Sequence, residues 1–131
     1  MLSDAEFLIS HLWETMRAHL TLFILVALSV GSFAGHIRKG ATMHVKPNSI
    51  WFQDTARLTH WQQLRKSDNS AALASYQDEV LSHRDAWQFI NQLTVRILSY
   101  DPRRNQVNVE LKTEGRMLGT KWLLDPDALV Q

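Results

Sequence analysis

The chain has 131 residues, 45% of them hydrophobic and 21% charged, with a formal net charge of +1. That size allows at most one small soluble domain plus an appendage, and the charge balance gives no sign of disorder or of nucleic-acid binding, which brings a marked basic excess. There is no cysteine, which excludes disulfides, thiolate-ligated metals and thiol nucleophiles.

"SDAEFLISHLWETMR" opens on Ser3 followed three residues later by Glu6, the pattern of a capping box. Leu8, Leu12 and Met16 recur at four-residue spacing, with Phe7 and Trp13 beside them. The spacing predicts a short amphipathic helix over 1–17, lying at a membrane interface with Trp13 at headgroup depth.

Between Arg17 and Arg38 lie twenty residues without a formal charge, counting His as neutral. As a helix they span roughly 30 Å, the thickness of one hydrocarbon core. A cleaved signal needs a basic leader, whereas this run follows an acidic segment. A buried soluble helix needs more apolar surface than the later segments offer to cover it. The run is therefore expected to be a single spanning helix over 18–37. Ala27, Gly31 and Gly35 sit four apart, a ridge of small residues that lets a second helix backbone approach closely.

The stretch 38–48 reads as a basic juxtamembrane linker. Arg38, Lys39 and Lys46 have no acidic neighbour there, while ten Lys/Arg balance ten Asp/Glu from Pro47 onward. The positive-inside rule then places the C-terminal domain in the cytoplasm. Arg38 and Lys39 fall at headgroup level, where each cation gains on the order of 1 kcal/mol from anionic lipid.

Pro47-Asn48-Ser49 breaks the chain, and a helix is expected from near Ile50 to Lys66, with Trp51, Leu58, Trp61 and Leu64 near one face. "KSDNS" is a turn. A second helical segment is expected over about Ser70–Tyr100, with a break near Ser82–Asp85, ending before Pro102. The period then changes. "QVNVELKT" alternates, with Val107, Val109 and Leu111 on one side, as a half-buried strand does. Glu114-Gly115 makes a turn, and "RMLGTKWLL" returns as a second strand.

The expected fold class is thus α+β: a single N-terminal transmembrane helix followed by a small domain, 49–131, of two helices and a C-terminal β-hairpin. A lone hairpin is marginal in water and has to rest on something. Trp51, Trp61, Trp87 and Trp122 supply either its core or a partner surface.

Candidate chemistry is thin. His83-Arg84-Asp85 copies the opening of a kinase catalytic loop, but the asparagine position is Ile90 and there is no glycine-rich loop. "GRMLGTK" has the wrong spacing for a phosphate-binding loop. Glu79 and His83 share a helix face without a third metal ligand, and His36 is a polar residue at the end of the spanning run. No nucleophile elbow, no paired carboxylates and no internal repeat occur.

The expected role is that of a non-catalytic accessory or scaffold subunit, or an assembly factor, of a multiprotein membrane complex. Its partners are other membrane-protein subunits and anionic lipid; no cofactor, nucleic acid or small-molecule substrate is expected. A second reading puts the domain in the periplasm, as part of an envelope-spanning secretion or transfer machine. A third is a membrane enzyme without a recognisable motif.

Overall fold

Seven strands and two helices make up residues 37–131, the part of the chain that the computed structural model describes. The interfacial helix expected over 1–17 and the spanning run to His36, with Ala27, Gly31 and Gly35, lie outside the described residues. Among the described residues no helix is long and apolar enough to cross a membrane.

In chain order the elements are β1 (Thr42–Val45), β2 (Ile50–Phe52), α1 (Thr55–Lys66), α2 (Ser70–Ser82), β3 (Ala86–Gln88), β4 (Leu93–Asp101), β5 (Gln106–Leu111), β6 (Lys121–Leu124), a 3-10 turn (Pro126–Ala128) and β7 (Leu129–Val130). The strands form one sheet in the order β3-β2-β6-β5-β4-β1-β7, every neighbouring pair antiparallel. The class is α+β, but the sheet replaces the expected lone hairpin.

The sheet has to curl. β1 and β2 are four places apart in it, roughly 19 Å if it were flat. Yet the five steps from Val45 to Ile50 reach at most about 17 Å when fully extended. The same holds for β3 and β4, joined from Gln88 to Leu93. Curling brings the two sides together, where Lys46 N–H donates to Ala128 O (2.8 Å) and Asn48 N–H to Phe89 O (2.8 Å). A bulge in β4 between Ile97 and Ser99 adds bend.

Two apolar layers result. Inside the curl lie Met43, Val45, Trp51, Val95, Ile97, Val107, Val109, Leu111, Trp122 and Leu124. On the other face, Leu58 of α1 and Val80 of α2 cover Ile50, Phe52 and Ala86. β2 is therefore buried on both faces, which is why "IWF" is apolar throughout. Each such large side chain stabilises by roughly 1.5–3 kcal/mol.

Three sequence expectations are corrected. The segment 38–48 is not simply a linker: it contains β1, and the compact unit begins at Ile37, which packs into the core. The first helix starts at Thr55, not near Ile50, because the Asp54 carboxylate accepts the Arg57 N–H (2.9 Å) and caps it there. The second helix stops at Ser82. The rest of the expected helical segment is β3 and β4, whose "LTVRILSY" is rich in β-branched residues. The bulge leaves Leu98 unpaired and half-buried next to buried Ile97, so the apolar spacing there departs from strict alternation and imitates a helical period.

Candidate functional site

The four tryptophans divide. Trp51 and Trp122 are buried and meet edge to face at 6.1 Å, with Phe89 set edge-on to both. They belong to the core, so of the two roles expected for the tryptophans the partner surface does not hold for this pair. Trp61 is half-buried between α1 and the sheet. Its Nε1–H donates to Gln77 Oε1 (2.9 Å), and the Arg65 guanidinium lies over its ring. Trp87 is 36% exposed. It stands on β3, at one edge of the sheet, with its inner edge against Trp122 (6.4 Å).

Around Trp87 is the most contact-ready surface among the described residues. Ile90, in the bend that follows β3, is 77% exposed. Leu81, Arg84, Ala86, Trp87 and Gln88 line an open cleft of about 440 Å³. β3 has β2 on one side and no strand on the other, so one row of its backbone groups is free to pair. The Gln88 amide donates to Asn48 O (2.9 Å), and Trp87 is braced by the aromatic column behind it. Arg84 has no carboxylate within ion-pair distance among the described residues. The patch therefore offers a braced aromatic anchor, an apolar neighbour, a cation and an open edge.

A second constellation is polar. Gln62, Gln106 and Asp125 are all buried. The Gln62 amide donates to Asn105 O (2.8 Å) and Asp125 Oδ2 (2.9 Å); the Gln106 amide donates to Thr59 Oγ1 (2.8 Å) and Gln62 Oε1 (3.3 Å). Asp125 Oδ1 accepts the Asp127 N–H (2.9 Å), and Arg65 approaches both aspartates. Two clefts, of about 320 and 200 Å³, flank Arg65, Asp125 and Asp127. Both Asp125 oxygens are engaged, so the cluster ties α1 to the β4–β5 hairpin and to the end of β6.

Ion pairs elsewhere fasten elements together. Arg57 joins Asp54 to Asp85 (3.4 Å), holding the start of α1 to the turn before β3. Burial works against charge on Asp54, but hydrogen bonds from the Arg57 backbone and guanidinium outweigh it and hold the carboxyl below the usual range. The Lys112 hydrogen bond, with Arg96 nearby, lowers Glu110 despite some desolvation. Among the described residues no three His, Asp or Glu side chains are grouped to hold a metal.

Arg38 and Lys39 are exposed in the turn leading to β1. Sequence reasoning missed Ile90 as a surface residue, reading it as a helix face, and missed the Gln62–Gln106–Asp125 cluster altogether. Those three residues are far apart in the chain, and no spacing announces them. Compared with known protein families, curated proteins and solved structures, the chain matches none.

Proposed function

We propose that this protein is a non-catalytic, single-span docking subunit of a membrane complex. The uncharged run up to His36 anchors it, Ile37 already belonging to the domain core, and Ala27, Gly31 and Gly35 pack against a partner helix. Arg38 and Lys39 lie at the headgroups, and the domain is cytoplasmic by the positive-inside rule. The domain captures a partner subunit at the β3 edge.

The observation that carries this reading is the pairing of Trp87 and Ile90, both exposed, with an unpaired sheet edge and an open cleft. A tryptophan already braced by Trp122 loses little freedom on binding, which is what a binding hot spot requires. An extended segment adding to β3 gains main-chain hydrogen bonds, and the cleft takes an apolar side chain.

The test is purification of the full chain from native membranes in mild detergent, wild type against Trp87→Ala with Ile90→Glu. Loss of a hot-spot tryptophan costs about 2 kcal/mol, or roughly thirtyfold in affinity. A fixed set of co-purifying subunits should fall away in the double variant and persist in Leu118→Ala, which alters an exposed apolar residue elsewhere. An unchanged set would overturn the edge as the docking site.

A further inference from the structure

We propose that the β4–β5 hairpin tip is a second lipid contact, at which Arg103 and Arg104, joined by Lys66, bind the phosphates of anionic headgroups alongside Arg38 and Lys39. This rests on the reading of the uncharged run before Ile37 as a membrane anchor.

Register sets the placement. Gly40 N–H donates to Ile97 O (2.7 Å) and Ile97 N–H to Ala41 O (2.9 Å), so the turn carrying Arg38 and Lys39 lies against the middle of β4. From there β4 runs on to Asp101, roughly 13 Å, and the tip follows at once. The Arg38–Ala41 turn thus lies at the middle of β4 and the hairpin tip at its end, within about four residues of each other along the strand. Lys66 joins them because the Gln62 amide, one helical turn before it, holds Asn105 O at 2.8 Å.

The tip is fixed and turned outward. Residues 102–105 are exposed. The Asp101 carboxylate accepts the N–H groups of Arg103 (3.0 Å) and Arg104 (3.3 Å), and the Tyr100 hydroxyl donates to Asn105 Oδ1 (3.2 Å). Asn105 closes the turn at a φ of 53°. The two arginine side chains are thus presented on a braced turn, the arrangement that loses least freedom on meeting phosphate.

Charge points the same way. Among the described residues Arg38, Lys39, Lys66 and Arg103 have no carboxylate within ion-pair distance. Arg104 meets Asp101 at 4.0 Å in a solvent-exposed pair that a phosphate can displace. Nearby acids are largely spent: Asp125 and Asp127 face Arg65, and Asp101 is bound into its own turn, leaving Asp68 beyond Lys66. A bilayer surface is the ligand extended enough to meet all these cations at once, and the uncharged run read as an anchor ends just ahead of Arg38 in the chain.

The test uses the full chain in nanodiscs of phosphatidylcholine alone or mixed with phosphatidylglycerol. A fluorophore at Pro102→Cys or Glu114→Cys, the latter at the opposite end of β5, is read against a headgroup nitroxide quencher. The absence of native cysteine makes each label unique. Pro102→Cys should be quenched far more than Glu114→Cys, and only with phosphatidylglycerol present. Charge removal by Arg103→Gln and Arg104→Gln should weaken the contact by about fivefold for each cation. Equal quenching at both sites in a carbonate-resistant chain would overturn the lipid contact and leave the anchor standing. A carbonate-extractable chain would overturn both. Equal quenching together with loss of a co-purifying subunit in the arginine variants would assign the tip to a protein partner instead.

Discussion

Gln62→Ala is expected to be the most damaging polar-to-apolar change in the domain. The Gln62 side chain is buried and donates to a main-chain carbonyl, Asn105 O, and to a carboxylate oxygen, Asp125 Oδ2. A neutral hydrogen bond contributes about 1 kcal/mol net and one to a charged group about 2 kcal/mol; the 3.3 Å bond from Gln106 adds little. Truncation strands both acceptors, so the loss is about 3 kcal/mol. Water entering from the adjoining cleft of about 200 Å³ offsets part of this, leaving roughly 2–3 kcal/mol. For a domain of this size that is a fall in Tm of roughly 10–20 °C. The assay is a thermal melt of the full chain in detergent, followed by tryptophan fluorescence. Gln63→Ala, on the exposed neighbour, should stay within about 0.5 kcal/mol of wild type. A fall below about 4 °C for Gln62→Ala would refute the view that this cluster pins α1 to the hairpin.

Asp54→Ala should cost about 1 kcal/mol through the lost cap. The Asp54 carboxyl is depressed in the fold, so its contribution is present above the unfolded pKa of about 4 and lost as pH falls through the folded value. Urea midpoints measured from neutral to acidic pH should therefore drop less steeply in the variant; parallel curves would contradict the Arg57 bonding. Trp122→Ala should cost about 3–5 kcal/mol, against about 1 kcal/mol for Trp87→Ala, since the second forfeits chiefly an aromatic edge contact. Equal melting shifts would mean that Trp87 serves the core. Gly31→Leu with Gly35→Leu should weaken association with a partner helix, read by co-purification, and unchanged association would end the packing role. Topology is read with single cysteines at Ser3 and Glu114. Labelling of Glu114→Cys from outside intact cells would place the domain on the other side.

What could be read from the sequence was whatever depends on neighbours in the chain. The alternation of Val107, Val109 and Leu111 depends only on the two-residue repeat of a strand, and β5 buries those three. The turn at Ser67–Asn69 and the end of α2 at Ser82 are likewise local breaks in a helical pattern. The twenty uncharged residues between Arg17 and Arg38 are a matter of length and charge alone.

The sheet was decided by pairing at a distance. "TMHV", "IWF" and "AWQ" are too short to show a period, and become strands because β4, β6 and β2 offer them a ladder. β4 hid its own alternation behind a bulge, which only the partner strand reveals. Burial sorted the tryptophans by the same route. Side-chain chemistry is identical at Trp51 and Trp87, directly opposite each other in register, yet the first lies beneath the curl and the second at its open edge. That difference is a property of strand order, which no local stretch of sequence contains.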